Sequence, residues 1–252
     1  MKKTDCFALL YVLVYAGIVF FFPFTIRPDG SFGMMEGEAF SFSDCLTHLT
    51  GLKNFGITVG AYPYLSGFLK VALLATFGEM LKVRGKTSSW KTPSLFPKFL
   101  VWGLYGILFT YVFQMFATGV GALMGSPLWP VGAPPSPDMT FGRTLLFAFS
   151  TSLWMNLIFC YPMMLSHEWF NIVIAEKRFV GGAEFLGRLD PHVWGSFMLK
   201  TILFFWIPAH TVTFCLPGNY RVLMSAILSL ALGFILTVKP KRKPAAAGGS
   251  AA

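Results

Sequence analysis

The stretch from Trp194 to Val238 reads WGSFMLKTILFFWIPAHTVTFCLPGNYRVLMSAILSLALGFILTV. It holds two apolar runs, Trp194 to Leu216 and Val222 to Val238, parted only by Pro217, Gly218, Asn219, Tyr220 and Arg221. Each run approaches the ~20 residues a helix needs to cross ~30 Å of hydrocarbon. Neither shows the period-2 alternation of a barrel strand, and a helix satisfies its own backbone groups where water is absent. With Pro217 and Gly218 setting the turn, the stretch predicts a tight antiparallel helical hairpin within a membrane.

Working outward, four more runs have the same character: Cys6 to Phe24, Pro63 to Val83, Pro97 to Met124 and Phe141 to Leu165. Composition agrees. The 252 residues are 55% hydrophobic and 12% charged, with a mean hydropathy of +0.62. A soluble domain carries about 25% charged residues, so most soluble folds are excluded. The expected architecture is all-α, a polytopic transmembrane helical bundle of about six membrane segments. Residues 1–24 form an amino-terminal anchor helix, 25–62 an outward loop, 63–238 the main bundle and 239–252 a basic disordered tail. Lys2 and Lys3 ahead of the first run resemble a secretory leader, but no small-x-small site follows Phe22, Pro23 and Phe24, so the segment reads as a retained anchor.

The formal charge of +9 then acquires a topological meaning. With the amino terminus inside, 14 of the 20 Lys and Arg residues fall in inward segments, among them Lys82, Arg84, Lys86, Lys91, Lys98, Lys177, Arg178 and Arg188. Only Arg27, Lys53, Arg143 and Arg221 face outward, and Lys70 and Lys200 lie within spans. Lys and Arg accumulate on the cytoplasmic side, so both termini are expected there. The expected setting is a multi-pass protein of a bacterial inner membrane or an organellar inner membrane. Its expected partners are the lipid bilayer, a small polar solute and, in one reading of its small-residue stripes, a second copy in a homo-oligomer, with no nucleic acid. The basic cluster Lys241, Arg242 and Lys243 suits contact with anionic headgroups.

In the outward loop, Ser43 is placed to cap a short helix whose Leu46, Leu49, Leu52 and Phe55 recur every third residue. That stripe suits an interfacial or re-entrant helix, or a loop packed on the span ends. The other outward loop, Gly125 to Thr140, has five prolines and reads as an extended connector.

Catalytic patterns are not found. Cys6, Cys45, Cys160 and Cys215 have no Cys-x-x-Cys spacing, and His167-Glu168 lacks the second His that a zinc helix needs four residues on, where Asn171 stands. No phosphate loop, dinucleotide fingerprint or serine elbow is present, so no enzyme activity, cofactor or metal is expected.

Polar groups within spans carry more information, because a charge at the bilayer centre costs about 2.5–3.5 kcal/mol on insertion scales. They are Lys70, Glu79, Gln114, Asn156, Lys200 and His210. Glu79 lies four residues from the inner end of its span and Lys200 six residues from the start of its own, about 6 and 9 Å from one face, a spacing that allows an ion pair. Two readings stand: the lysines snorkel to the interface and Glu79 pairs with Lys82 or Lys86, or these groups line a cavity. Gln114 and Asn156 also suit interhelical packing. Small residues recur every fourth position at Ala117, Gly121 and Gly125, and at Ser225, Ser229 and Gly233, allowing close helix contact within the bundle or between subunits. Pro162 and Pro208 break backbone bonding inside spans and predict kinks.

The carboxyl-terminal hairpin carries a resemblance. Trp206-Ile207-Pro208, Thr213-Phe214, Leu216-Pro217 and Tyr220-Arg221 are similar to the Trp-Pro, Asn-Phe, Val-Pro, Arg signature of the peroxisomal membrane protein and Mpv-seventeen family. Gly78-Glu79 and Gly85-Lys86-Thr87 resemble that family's Gly-Asp and Gly-Arg-Thr. The similarity is distant and covers residues 62–243; the family's Gln and Asn in the Trp-Pro helix are replaced here. It implies a four-span core with weakly selective pore activity, and carries over Glu79, Trp206, Pro208, Phe214, Pro217 and Arg221. The expected function is an integral membrane pore or transporter for small polar metabolites. The alternative is a structural or assembly protein acting through helix contacts.

Overall fold

The computed structural model describes residues 3–33, 42–128 and 138–238. Helix α1 (Lys3–Phe20) leads to a small hairpin of β1 (Thr25–Ile26) and β2 (Phe32–Gly33). Two short helices follow, α2 (Phe42–Thr47) and α3 (Thr50–Ala61), then the long helices α4 (Pro63–Thr87) and α5 (Leu95–Leu123). Helix α6 (Phe141–Glu176), the short α7 (Gly182–Gly187), α8 (His192–Phe214) and α9 (Gly218–Val238) complete the chain. The chain is a multi-pass, all-α membrane protein: α4, α5, α6 and α8 are each long and apolar enough to cross a bilayer. The apolar part of α1, Leu10–Phe20, is shorter. Helix α6 has 36 residues and spans about 54 Å, so its last turns extend past any ~30 Å core.

Helix α4 is the hub, packing against both α5 and α9. At the α4–α5 crossing Gly67 and Gly106 face each other: a Cβ on Gly67 would lie 2.7 Å from the Gly106 carbonyl oxygen, and one on Gly106 would meet the Gly67 carbonyl. Backbones approach this closely only where both residues lack a side chain. Of the small-residue stripe predicted at Ala117, Gly121 and Gly125, the first two are buried and Gly125 is exposed, and the tightest approach lies elsewhere. Ser225 is buried as well, whereas the side chains of Ser229 and Gly233 lie outside the described set.

The predicted hairpin of the last two helices forms with its turn at 215–217, yet α9 leans mainly on α4 rather than on α8. The start of α9 is held to α3: Tyr220 donates to the Leu52 carbonyl at 2.8 Å and Asn219 to that of Gly56 at 2.9 Å. Helix α1 touches α4 through Tyr11, which stacks on Phe77 at 4.4 Å and donates to the Leu73 carbonyl at 3.2 Å. One end of the bundle therefore carries the β-hairpin, α3 and the α8–α9 turn, here called the hairpin end. The other carries the α4–α5 and α6–α8 connections with most of the described basic residues, the basic end.

Several expectations are corrected. The single outward helix is two, because Leu49 takes a left-handed φ of 55° between α2 and α3; Leu46 and Leu49 are exposed while Leu52 and Phe55 pack on the core. The proline kinks are wide π turns. Pro162 follows one at Asn156–Cys160 and Pro208 one at Ile202–Trp206. A proline ring collides with the carbonyl four residues back, and a wider turn relieves that clash. The span read as Phe141 to Leu165 continues as helix to Glu176. The prolines at 130, 134, 135 and 137 and the tail 239–252 lie outside the described residues.

At the basic end, Arg178 and Arg188 each bridge Glu176 and Glu184. Trp169 donates from Nε1 to the Val180 carbonyl at 2.8 Å, fastening this loop to α6.

Candidate functional site

The polar groups predicted within spans divide into two sets. Ser152 and Asn156 are four residues apart on α6, so they share a face and both point into the bundle, where they are buried. The Asn156 amide nitrogen donates to the Ser152 carbonyl at 2.8 Å and hydroxyl at 3.2 Å. Its oxygen lies 3.0 Å from Nδ1 of His210, on α8. An amide oxygen only accepts, so Nδ1 carries a proton, and Nε2 on the far side of the ring lies 3.5 Å from Ser225 Oγ on α9. Three helices are thus joined through one buried imidazole. Ser152 also donates to the Ile207 carbonyl at 2.7 Å, in the segment beside Pro208 where the backbone leaves the π turn.

Aromatic rings hold this histidine. Trp206 stacks on it at 5.1 Å, and Phe113 of α5 meets it edge-on at 5.5 Å. Trp206 is 7% exposed and its Nε1 has no hydrogen-bond partner. A buried N–H left unpaired costs about 1–3 kcal/mol.

The network does not end in solid packing. Asn156, His210, Ser225 and Trp206 line a cavity of about 220 Å³ that continues to Glu79, Lys82, His167, Glu168 and Asn171 at the basic end. Glu79 shares that mouth with the charged Lys82 and Glu168. It pairs with Lys98 at 3.6 Å and with Lys82 at 4.0 Å. The predicted partnership with Lys200 does not form: Lys200 is exposed and lines neither this cavity nor the one described next. Depth along the membrane allowed the pair, but the rotation of each helix about its axis sends the two side chains to different surroundings.

A second cavity, of about 740 Å³, lies toward the hairpin end. Lys70, Gln114, Thr110, Thr118, Asn219 and Arg221 line it. Gln114 is exposed and donates to Thr118 at 3.0 Å on its own helix. Arg221 donates from Nε to the Leu216 carbonyl at 2.9 Å and from Nη2 to that of Phe214 at 3.5 Å, so it ties down the α8–α9 turn while facing the cavity. Phe214 is 1% exposed and packs on Phe113 at 5.4 Å, and Pro217 sits exposed in the turn.

Phe113 lines both cavities. Its side chain is 4% exposed. Sequence reasoning did not single it out, nor Ser152 and Trp169. The run Ser150-Thr151-Ser152 within an apolar helix was a usable signal for Ser152, but nothing marks Phe113 among 28 phenylalanines.

Comparison with protein-family models, with curated proteins and with solved structures gives no match.

Proposed function

We propose that this protein is a membrane pore or transporter for small polar solutes, with Phe113 closing the path between two cavities that approach it from opposite ends. The observation that carries the reading is the shared residue: Phe113 lines both a cavity reaching Glu79 and one reaching Lys70 and Arg221. A bundle built only for packing has no use for such spaces, since interiors are filled to crystal density and polar cavities at depth are costly. The unpaired Trp206 Nε1 supplies a donor, beside the His210 imidazole, where a passing solute loses its water. The π turns beside Asn156 and before Pro208 give α6 and α8 local places to change shape, and such turns recur at functional sites.

Helices α1, α4, α5, α6, α8 and α9 all cross the membrane in this reading, with both termini at the basic, cytoplasmic-type face of a bacterial or organellar inner membrane. The Trp206-to-Arg221 segment fits the distant likeness to the Mpv-seventeen group, to which weakly selective pores belong. No bond-making chemistry is assigned to the chain.

The test is solute entry into proteoliposomes, followed by light scattering with glycerol, succinate and phosphate. Wild-type protein admits at least one of them faster than empty vesicles, and Phe113→Ala raises the rate. Phe113→Leu, a milder change, keeps the test usable because truncating a core phenylalanine to alanine costs about 3–5 kcal/mol. Permeability equal to empty vesicles for both variants refutes the proposal.

A further inference from the structure

The larger cavity contains a charge without an answer. Lys70 lies on α4 with only 5% of its surface exposed, yet it lines the 740 Å³ space. Its ammonium sits 5.9 Å from the centre of the Phe55 ring, a contact that favours a cation but does not neutralise it. Among the described residues Lys70 has no ion pair and no hydrogen bond. Snorkelling, the ordinary escape for an intramembrane lysine, would carry the charge out to the interface, and so deep a burial is the opposite outcome.

The surroundings add to the positive charge. Arg221 lines the same cavity with two of its nitrogens held by backbone carbonyls, an arrangement that fixes the guanidinium while leaving further N–H groups to the cavity. Its guanidinium carbon also rests 5.4 Å from the centre of the Phe214 ring. Thr110, Thr118, Gln114 and Asn219 contribute hydroxyl and amide groups, and among the described residues no Asp or Glu lines the space. Two cations with hydroxyl and amide groups beside them, and no acid among the described residues, form a receptor for negative charge. A water molecule takes about 30 Å³ in the liquid, so the cavity has room for a small anion and its remaining hydration.

We propose that Lys70 and Arg221 form a binding site for an oxyanion, a phosphate or carboxylate group, in the cavity at the hairpin end. The group belongs either to a small free solute or to the headgroup of an anionic lipid entering between α4 and α5, where Tyr64 and Tyr111 at the rim are exposed. As a statement of what the path selects, the inference rests on the transport reading above. As a binding site it stands apart from it.

The experiment uses the full chain, purified and delipidated in a non-ionic detergent, titrated calorimetrically with inorganic phosphate and with succinate at low ionic strength. A parallel arm places it in nanodiscs of phosphatidylcholine with or without phosphatidylglycerol, with retained lipid read by native mass spectrometry. The site predicts saturable binding of phosphate or succinate, or selective retention of phosphatidylglycerol. Lys70→Met weakens that binding about ten-fold or more, the scale of one lost charge-assisted hydrogen bond, while Lys70→Arg retains it. Lys70→Gln serves as a second variant should the methionine form melt early. Free-anion binding assigns the site to a solute, and phosphatidylglycerol retention alone assigns it to lipid. Binding of neither, or binding unchanged in Lys70→Met and Lys70→Gln, overturns the proposal. Lys70-dependent binding in a protein that conducts nothing sinks the transport reading and leaves the site standing.

Discussion

Replacing Asn156 by leucine keeps the side chain's approximate size and removes the connection between α6 and α8. The change deletes the acceptor 3.0 Å from His210 Nδ1 and the donor 2.8 Å from the Ser152 carbonyl. A buried donor left without a partner costs about 1–3 kcal/mol, so Asn156→Leu destabilises by that much. Replacing His210 by phenylalanine leaves the Asn156 oxygen without its donor and costs a similar amount. The double replacement leaves neither group stranded, and apolar isosteres of a hydrogen-bonded pair come out nearly neutral. Two magnitudes compete in setting the expected coupling. Desolvation at a fully buried site argues for the upper part of the range, whereas side-chain pairs inside membranes average about 0.6 kcal/mol and reach about 1.7, because the unfolded chain in lipid finds other partners. His210 is 6% exposed and enclosed by Trp206 and Phe113, so few substitutes reach it, and a coupling of about 1–1.7 kcal/mol is expected. The assay is a double-mutant cycle on reversible unfolding in mixed micelles. Additivity within about 0.3 kcal/mol, the agreement seen for independent sites, would refute the argument that this network joins the two helices.

Other consequences are open to measurement. Gly106→Ala drives a methyl into the Gly67 backbone and costs about 1–3 kcal/mol in the same unfolding assay, whereas Gly119→Ala, which meets nothing within 4 Å, is neutral or stabilising. Glu79→Gln leaves Lys98 and Lys82 without their carboxylate at the mouth of the smaller cavity; it slows entry of cationic solutes relative to anionic ones in proteoliposomes, and unchanged selectivity counts against Glu79 acting on the path. Beyond the membrane core, at the last residue of α6 and in α7, hydrogen bonds from Arg188 and Arg178 hold the Glu176 and Glu184 carboxyls below the usual carboxylate range. Their stabilisation is present above pH about 4.5 and is lost as pH falls through the depressed folded values, so amide exchange across Arg178–Arg188 rises at pH about 3 and global stability changes little through this exposed cluster.

How far the sequence reveals this molecule depends on which property is asked of it. Span existence is written in composition: the apolar runs around Trp206 and Ile227 admit no other solvent than lipid or core, and the structure returns them as long helices. Span ends are less visible, because α6 carries apolar residues such as Ile172 and Val173 beyond the point where polar Ser166, His167 and Glu168 seemed to close it. The stripe at Leu46 looked continuous, and only a backbone torsion at Leu49 divides it, a preference no periodicity encodes. His210 and Asn156 were legible as polar groups at depth. Their partnership was not, since it depends on the rotation of α6 against α8, and the same ignorance of rotation produced the Glu79–Lys200 pair in place of Glu79–Lys98. Phe113 is the extreme case: its identity is that of any core residue, and its role comes only from the empty space on either side of it.

The central claim, two water-accessible spaces closed from each other at Phe113, is tested most directly by cysteine labelling. In a background lacking Cys6, Cys45, Cys160 and Cys215, single cysteines at Ser225 and Gln114 are exposed to a membrane-impermeant thiol reagent added from one side of oriented vesicles at a time. Ser225→Cys is expected to react only from the basic end and Gln114→Cys only from the hairpin end, with Phe113→Ala opening Ser225→Cys to reagent from both. A Ser225→Cys that stays unreactive from either side, in folded protein and with Phe113 removed, would contradict the account.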